Sequence, residues 1–278
     1  MKKILFLALL LQTLILYSQS SNFNDAGPNK GKMFAYWGWN RGHFSTSDIT
    51  FKGENYNFTL DNVEAKDKPK PFGIYYFKPD EVTIPQTNFR IGYFFKENYT
   101  LSIGVDHMKY VMRNDKSASI NGSINLGSDF DGDYMGETIS LSEDFLLFEH
   151  TDGLNYINVE VNRFDNLDDW LNFSVKNIDI NLLEGIGVGV LLPKTNTTLL
   201  NKQRYDDFHL AGYGVSAHVG LNVTFFKHFF IQSNLKAGYI NMGDIRTTHS
   251  ENDSASQSFT FLENVYVFGA RFNLSKKN

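Results

Sequence analysis

Two motifs in this 278-residue chain carry residue types and spacings that suit chemistry. The first is Phe148-Glu149-His150-Thr151-Asp152-Gly153-Leu154-Asn155. A His can serve as general base for a hydroxyl nucleophile held within hydrogen-bond reach. The hydroxyl beside His150 belongs to Thr151, and adjacent side chains on an extended chain point to opposite faces. The stretch therefore reads as a turn or an outward polar cluster before it reads as a catalytic centre. The second motif is Asp129-Phe130-Asp131-Gly132-Asp133, followed by Glu137. Alternating carboxylates around a glycine can wrap a hard cation in oxygen ligands. Here the glycine precedes the third Asp and Glu137 comes too early for an EF-hand loop. Asp129, Asp131, Asp133 and Glu137 are expected to bind Ca²⁺ or Mg²⁺ weakly, and otherwise to form a solvated acidic loop. The run Gly185-Ile186-Gly187-Val188-Gly189 lacks the GxGxxG spacing of a nucleotide-binding turn and continues as an apolar strand through Leu192. It is expected to supply small residues to a crowded inner face. No cofactor is expected.

Composition narrows what these motifs could belong to. There is no Cys, which removes disulfides, thiolate metal sites and Cys nucleophiles. The net charge of −5 argues against nucleic acid as a partner, because phosphate binding needs an excess of Lys and Arg. Aromatics reach 15%, with 25 Phe and 14 Tyr, in a chain that is hydrophilic on average. That combination fits a protein whose apolar surface faces lipid and whose inside is polar. Lys2 and Lys3, the apolar run Ile4 to Tyr17 and the small residues of Ser18-Gln19-Ser20 have the layout of a secretory signal peptide. Residues 1–20 are expected to be removed, leaving one domain over 21–278.

The elements that must position any site are strands. From Ala211 to Phe225, alternate residues Tyr213, Val215, Ala217, Val219, Leu221 and Val223 share one apolar face. Gly214, Ser216, His218, Gly220, Asn222 and Thr224 share the other. Similar segments are expected near 33–44, 87–96, 99–113, 153–164, 176–192, 208–226, 229–244 and 259–274. Short turns near 96–98, 166–169 and 227–228 alternate with long polar stretches near 45–86, 114–152, 193–207 and 245–258. This rhythm predicts an all-β transmembrane antiparallel up-and-down barrel with long extracellular loops. Eight strands is the preferred count. Ten follows if Asp152-Gly153 turns a hairpin instead of forming a bulge. The first long loop has the pattern of a small projecting hairpin around Lys52 to Tyr56.

Strand parity then places charges inside. Arg90, Asp106, Glu160, Asp179, Lys236 and Arg271 fall on the inner face, with His218, Asn222, Gln232 and Asn234. An eight-stranded barrel is narrow enough for side chains to fill, and buried charges must pair. A salt-bridged plug is the expectation. Trp37, Trp39, Phe94, Phe95, Phe225 and Phe229 lie near strand ends, where a membrane-interface girdle is expected.

The terminal strand Gly269-Ala270-Arg271-Phe272-Asn273-Leu274 resembles the closing signal of bacterial outer-membrane proteins. It departs from that signal at Val267 and in its Ser275-Lys276-Lys277-Asn278 tail. The whole layout resembles the small outer-membrane β-barrel proteins of the Bacteroidetes type, with an OmpA/OmpW-like barrel. That resemblance implies residence in the outer membrane, contact with its lipid and lipopolysaccharide, handling by the outer-membrane assembly machinery, and an extracellular ligand of unknown identity. The first motif also resembles the His-x-Ser-Asn element of outer-membrane lipid A deacylases, with Asp152 standing where the Ser would be. The expected function is a binding scaffold with a plugged lumen. The alternatives are a barrel transporting a small hydrophobic solute and an outer-rim lipid A-modifying hydrolase.

Overall fold

The computed structural model describes residues 29–71, 73–77, 85–168, 170–172 and 175–273. The expected signal peptide (1–20), the following residues 21–28 and the tail from Leu274 onward lie outside the described residues.

Eight long strands close into a ring. They are β1 (Lys32–Phe44), β5 (Thr87–Phe94), β6 (Tyr99–Met112), β9 (Leu146–Asn166), β10 (Ile178–Leu191), β12 (Gly212–Phe225), β13 (Phe229–Arg246) and β14 (Ser254–Asn273). Each pairs antiparallel with its neighbour in that order, and β14 returns to β1 from Lys32↔Asn273 to Phe44↔Phe261. Closure leaves no ladder edge along the barrel wall. The period-2 pattern explains which face is which. On β12, Tyr213, Val215, Val219 and Leu221 are exposed, while Ser216, His218, Asn222 and Thr224 are buried in the lumen. Ile103, Ile186, Val188, Ile231 and Phe268 continue the outward apolar belt around the ring.

The ten-strand alternative is overturned. Leu146–Asn166 is one strand of 21 residues. Its partners on β6 jump from Met108↔Leu154 to Tyr110↔His150, so four steps on β9 oppose two on β6. The extra residues bulge out around Asp152-Gly153, with Gly153 at φ +138°. The connection from β9 to β10 runs over residues 167–177 and is longer than the turn expected at 166–169.

A second layer caps one end of the ring, called here the loop end. The expected hairpin is present as β2 (Ser47–Gly53) and β3 (Tyr56–Val63). A further hairpin, β7 (Ser117–Ile124) and β8 (Gly132–Ser140), extends it in the order β14-β2-β3-β7-β8. The short strands β4 (Ala65–Lys66) and β11 (Asn196–Leu199) pair with β6 and β9. The inner face of this cap buries Ile49, Phe51, Phe58, Leu60 and Ile120 against Phe145, Leu146 and Phe148. Strand β8 is the outer edge of the sheet. Its register with β7 shifts between Ile120↔Glu137 and Asn121↔Met135, leaving Gly136 as a bulge at φ +102°.

Candidate functional site

The chemistry of the lumen centres on one ionic cluster. Lys236 Nζ from β13 lies 2.6 Å from Asp106 Oδ2 of β6 and 2.7 Å from Glu160 Oε1 of β9. Arg90 Nη2 from β5 lies 2.9 Å from Glu160 Oε1 and 3.8 Å from Asp106 Oδ1. All four side chains are at most 3% exposed. Neutral groups complete the hydrogen bonding. Arg90 donates through Nε to Tyr36 Oη (3.0 Å) and through Nη2 to Asn158 Oδ1 (2.6 Å). Asn158 Nδ2 donates to Asp106 Oδ2 at 2.9 Å. Asn88 Nδ2 donates to Asp106 Oδ1 at 2.7 Å and to Glu263 Oε1 at 3.2 Å. A buried ion is tolerable when paired and hydrogen-bonded in this manner.

Backbone shape makes room for the cluster. A Cβ on Gly187 would lie 2.9 Å from both Glu160 Cγ and Ser216 Oγ. The glycine run on β10 therefore backs the ion cluster at close range and has no place for a nucleotide.

Four of the six predicted lumen charges converge: Arg90, Asp106, Glu160 and Lys236. The other two do not join them. Arg271 is buried near the opposite, turn end, where its guanidinium sits 5.1–5.7 Å from the ring centroids of Phe94, Phe164 and Phe230. It donates to Asn222 Oδ1 (3.1 Å) and Asn29 Oδ1 (3.3 Å), and among the described residues no carboxylate lies within 4 Å of it. Asp179, at the start of β10, is half-exposed and belongs to the rim. Sequence reasoning missed Glu263, which is fully buried beside Asn88. A signal was present: Glu263 has the same strand parity as Arg271. It was obscured because both faces of β14 carry large apolar residues, Val265 and Val267 inside and Tyr266 and Phe268 outside.

The expected interface aromatics divide. Trp37 and Trp39 pack on each other at 5.4 Å on the outer wall, while Phe95 and Phe229 are exposed beside tight turns. Phe225 is half-buried at the end of β12. Phe94 requires correction: it is fully buried and points into the lumen against Phe34 and Phe164. Phe94 and Phe95 are consecutive, so only one of them can face outward.

His150 is also internal. It is fully buried between the rings of Tyr110 and Phe148, with Nδ1 3.0 Å from Thr195 Oγ1. Asp152 instead points outward to Lys194 Nζ at 3.3 Å. The motif does not assemble an accessible base beside a nucleophile.

The acidic loop is built around one residue. Asp131 accepts backbone N–H groups from Leu126 (3.0 Å), Gly127 (2.7 Å) and Ser128 (3.1 Å), and the Ser128 hydroxyl at 2.8 Å. These donors, led by the Leu126 amide, hold its carboxyl at about 2. Glu137 turns back to accept the Met135 N–H. Among the described residues no three carboxylate or imidazole groups converge as a metal site. Asp129, Asp131, Asp133 and Glu137 do not converge, and Asp131 gives its oxygens to the loop's own backbone and to the Ser128 hydroxyl.

No protein-family model matches the chain, and no curated protein matches it. Among solved structures it is similar to the attachment invasion locus protein Ail of Yersinia pestis, at 10% identity over 87% of this chain and 99% of that one, TM-score 0.34. It is similar to the outer membrane protein OprG from Pseudomonas aeruginosa, at 10% identity over 90% and 100%, TM-score 0.40. It is also similar to the outer membrane protein AlkL in DMPC lipid bilayers, at 13% identity over 94% and 99%, TM-score 0.42. The closed antiparallel ring of eight strands is a property of this chain's own pairing.

Proposed function

We propose that this protein is an outer-membrane β-barrel scaffold with a sealed lumen, exported by its N-terminal segment and presenting an ordered cap to the exterior. The observation that carries the reading is the inversion of an ordinary soluble core: the ring exposes Ile103, Ile186, Val188, Val219 and Leu221 and buries Arg90, Asp106, Glu160 and Lys236. Water would punish that outer belt, whereas hydrocarbon accepts it. The loop end faces outward in this reading, because outer-membrane barrels carry short turns on the periplasmic side. The cap is knitted together across segments: Lys202 Nζ pairs with Asp253 at 2.9 Å and lies over the Tyr56 ring at 4.5 Å. Such a surface suits recognition carried on a rigid scaffold. Membrane fractionation with protease shaving of intact cells tests the reading. Recovery in the outer-membrane fraction with cleavage confined to the cap is expected. Recovery in the soluble periplasm would overturn it.

A further inference from the structure

The outward face of β10 holds a carboxylate within its apolar row. Glu184 stands at the middle of the strand, with Leu182 and Ile186 next to it on the same face. Among the described residues no hydrogen bond or ion pair reaches it. Its register partner on β9 is Arg163, which shares that face. Arg163 leans away: its Nε lies 2.9 Å from Asp165 Oδ2, and its Nη2 donates to Asp165 Oδ1 at 2.9 Å. The guanidinium also sits 5.9 Å from the Tyr99 ring centroid. Its Nη1 carries no hydrogen bond and is not enclosed, the side chain being 15% exposed. An unpaired acid and a partly committed base thus stand side by side on the wall. The surface around them differs from the rest of the ring. β9, β10 and β12 face outward with Val159, Val161, Ile186, Val188 and Val215, whereas β14, β1 and β5 carry Tyr266, Phe268, Trp37, Trp39 and Phe89. Branched aliphatic side chains have little rotamer freedom to lose when a second wall packs on them. Ile186 is 67% exposed and in register with Ala217, which is itself in register with Ala237. A ridge therefore stands beside a recess.

We infer that the β9–β10–β12 wall is the interface of a homodimer, with Glu184 of each copy paired to Arg163 of the other. The inference rests on the membrane reading above. Its support is charge complementarity. Two copies inserted in the same direction are related by a two-fold axis along the membrane normal, so residues meet only at like depth. Registered neighbours lie only about 5 Å apart, and Glu184 and Arg163 are such neighbours of opposite charge. An isologous contact in which one residue meets the other, and the reverse, is then satisfied twice. Arg163 keeps Asp165 and gives Nη1 to Glu184 of the second copy. Ile186 enters the recess at Ala217, where the small side chain lets the two walls approach closely. A carboxylate facing hydrocarbon is costly without a partner, and the dimer supplies one.

The test uses the full mature chain reconstituted in phospholipid vesicles. The chain has no Cys, so Lys52→Cys on the cap hairpin gives one labelling position, and energy transfer between donor- and acceptor-labelled copies reads association. Saturable transfer that unlabelled protein competes away is expected. Glu184→Lys and Arg163→Glu each oppose like charges across the two-fold, and each should weaken association by at least about tenfold. Mixing the two variants rejoins opposite charges at both contacts and should restore it. Ala217→Phe fills the recess and should weaken association with every charge in place, while Phe268→Leu on the far wall should leave it unchanged. Absence of transfer at every protein density overturns the inference. So does transfer that survives both charge reversals, or that mixing fails to restore. Vesicle flotation and heat-modifiable gel migration separate the two readings. Protein that inserts and folds but stays monomeric sinks only the interface, and protein that fails to insert sinks the membrane reading with it.

Discussion

Lys236 and Asp106 make a 2.6 Å ion pair although their strands, β13 and β6, are four places apart in either direction around an eight-strand ring. The contact therefore spans the full width of the lumen. Glu160 on β9 and Arg90 on β5 flank Asp106 from the two neighbouring strands. Three adjacent strands on one side of the wall therefore meet a lysine that reaches across from the opposite side.

Ion passage is the first property this controls. Eight strands leave an interior that side chains fill, whereas open porins use about 16–18. Purified protein in planar bilayers should show no sustained porin-like conductance. Stable large steps from the unmutated protein would refute the sealed lumen.

Removing the shared acceptor should be costly. Glu160 serves both Lys236 and Arg90, so Glu160→Ala leaves two buried cations with Asp106 as their remaining acid within 4 Å. Breaking a buried pair costs about 3–5 kcal/mol. The variant should unfold at clearly lower urea concentration in detergent, followed by heat-modifiable gel migration. An unchanged midpoint would show that the cluster is not under electrostatic load.

The lipid-facing side can be tested at one exposed position. Val219 lies on the outer face of β12, midway along the strand. Arg at the midplane of a barrel costs roughly 2–4 kcal/mol. Val219→Arg should reduce assembled protein in the membrane fraction, and Val219→Leu should not. Equal assembly of the two would mean that this face meets water.

Acid should loosen the β7–β8 turn before it touches the barrel. The Asp131 carboxyl is held at about 2, below the ordinary value of 3.8, by N–H donors from Leu126, Ser128 and Gly127. Its stabilising effect is complete above about pH 4 and is lost as pH falls toward 2. Amide exchange at Leu126, Gly127 and Ser128, taken relative to each amide's intrinsic rate at the same pH, should accelerate over that interval. In Asp131→Asn that ratio should be high at neutral pH and nearly flat with acid. Calcium should leave all these rates unchanged, and a saturable calcium effect would restore a metal site here.

The ring was legible because its signal is redundant. Seven of the eight wall strands span a dozen or more residues, with alternation as clear as that from Tyr213 to Phe225, and loop lengths alternate with them. The bulge at Gly153 was legible from one dipeptide, with a hairpin as its rival. The β7–β8 hairpin was not: Ser117-Ala118-Ser119-Ile120-Asn121-Gly122 alternates small polar residues with only two apolar ones, which a solvated loop also does. Inside the barrel, parity located Arg90, Asp106, Glu160 and Lys236 but said nothing about depth. Arg271 and Asp179 share the inner parity and lie at the turn end, too far down the axis to meet the others. Depth depends on strand tilt and stagger, which only the paired register supplies.

The bulge at Gly136 has a consequence for life at high density. A straight free strand on one copy could pair in register with the same strand on another. Strand β8 is such a free edge, nine residues long, with Met135 almost fully exposed. At Gly136 its ladder of N–H and C=O groups loses step, and Asp133 and Glu137 flank the break with like charge. Two copies approaching edge to edge would meet mismatched donors and mutual repulsion. The kink works against edge-to-edge pairing of one such cap with another.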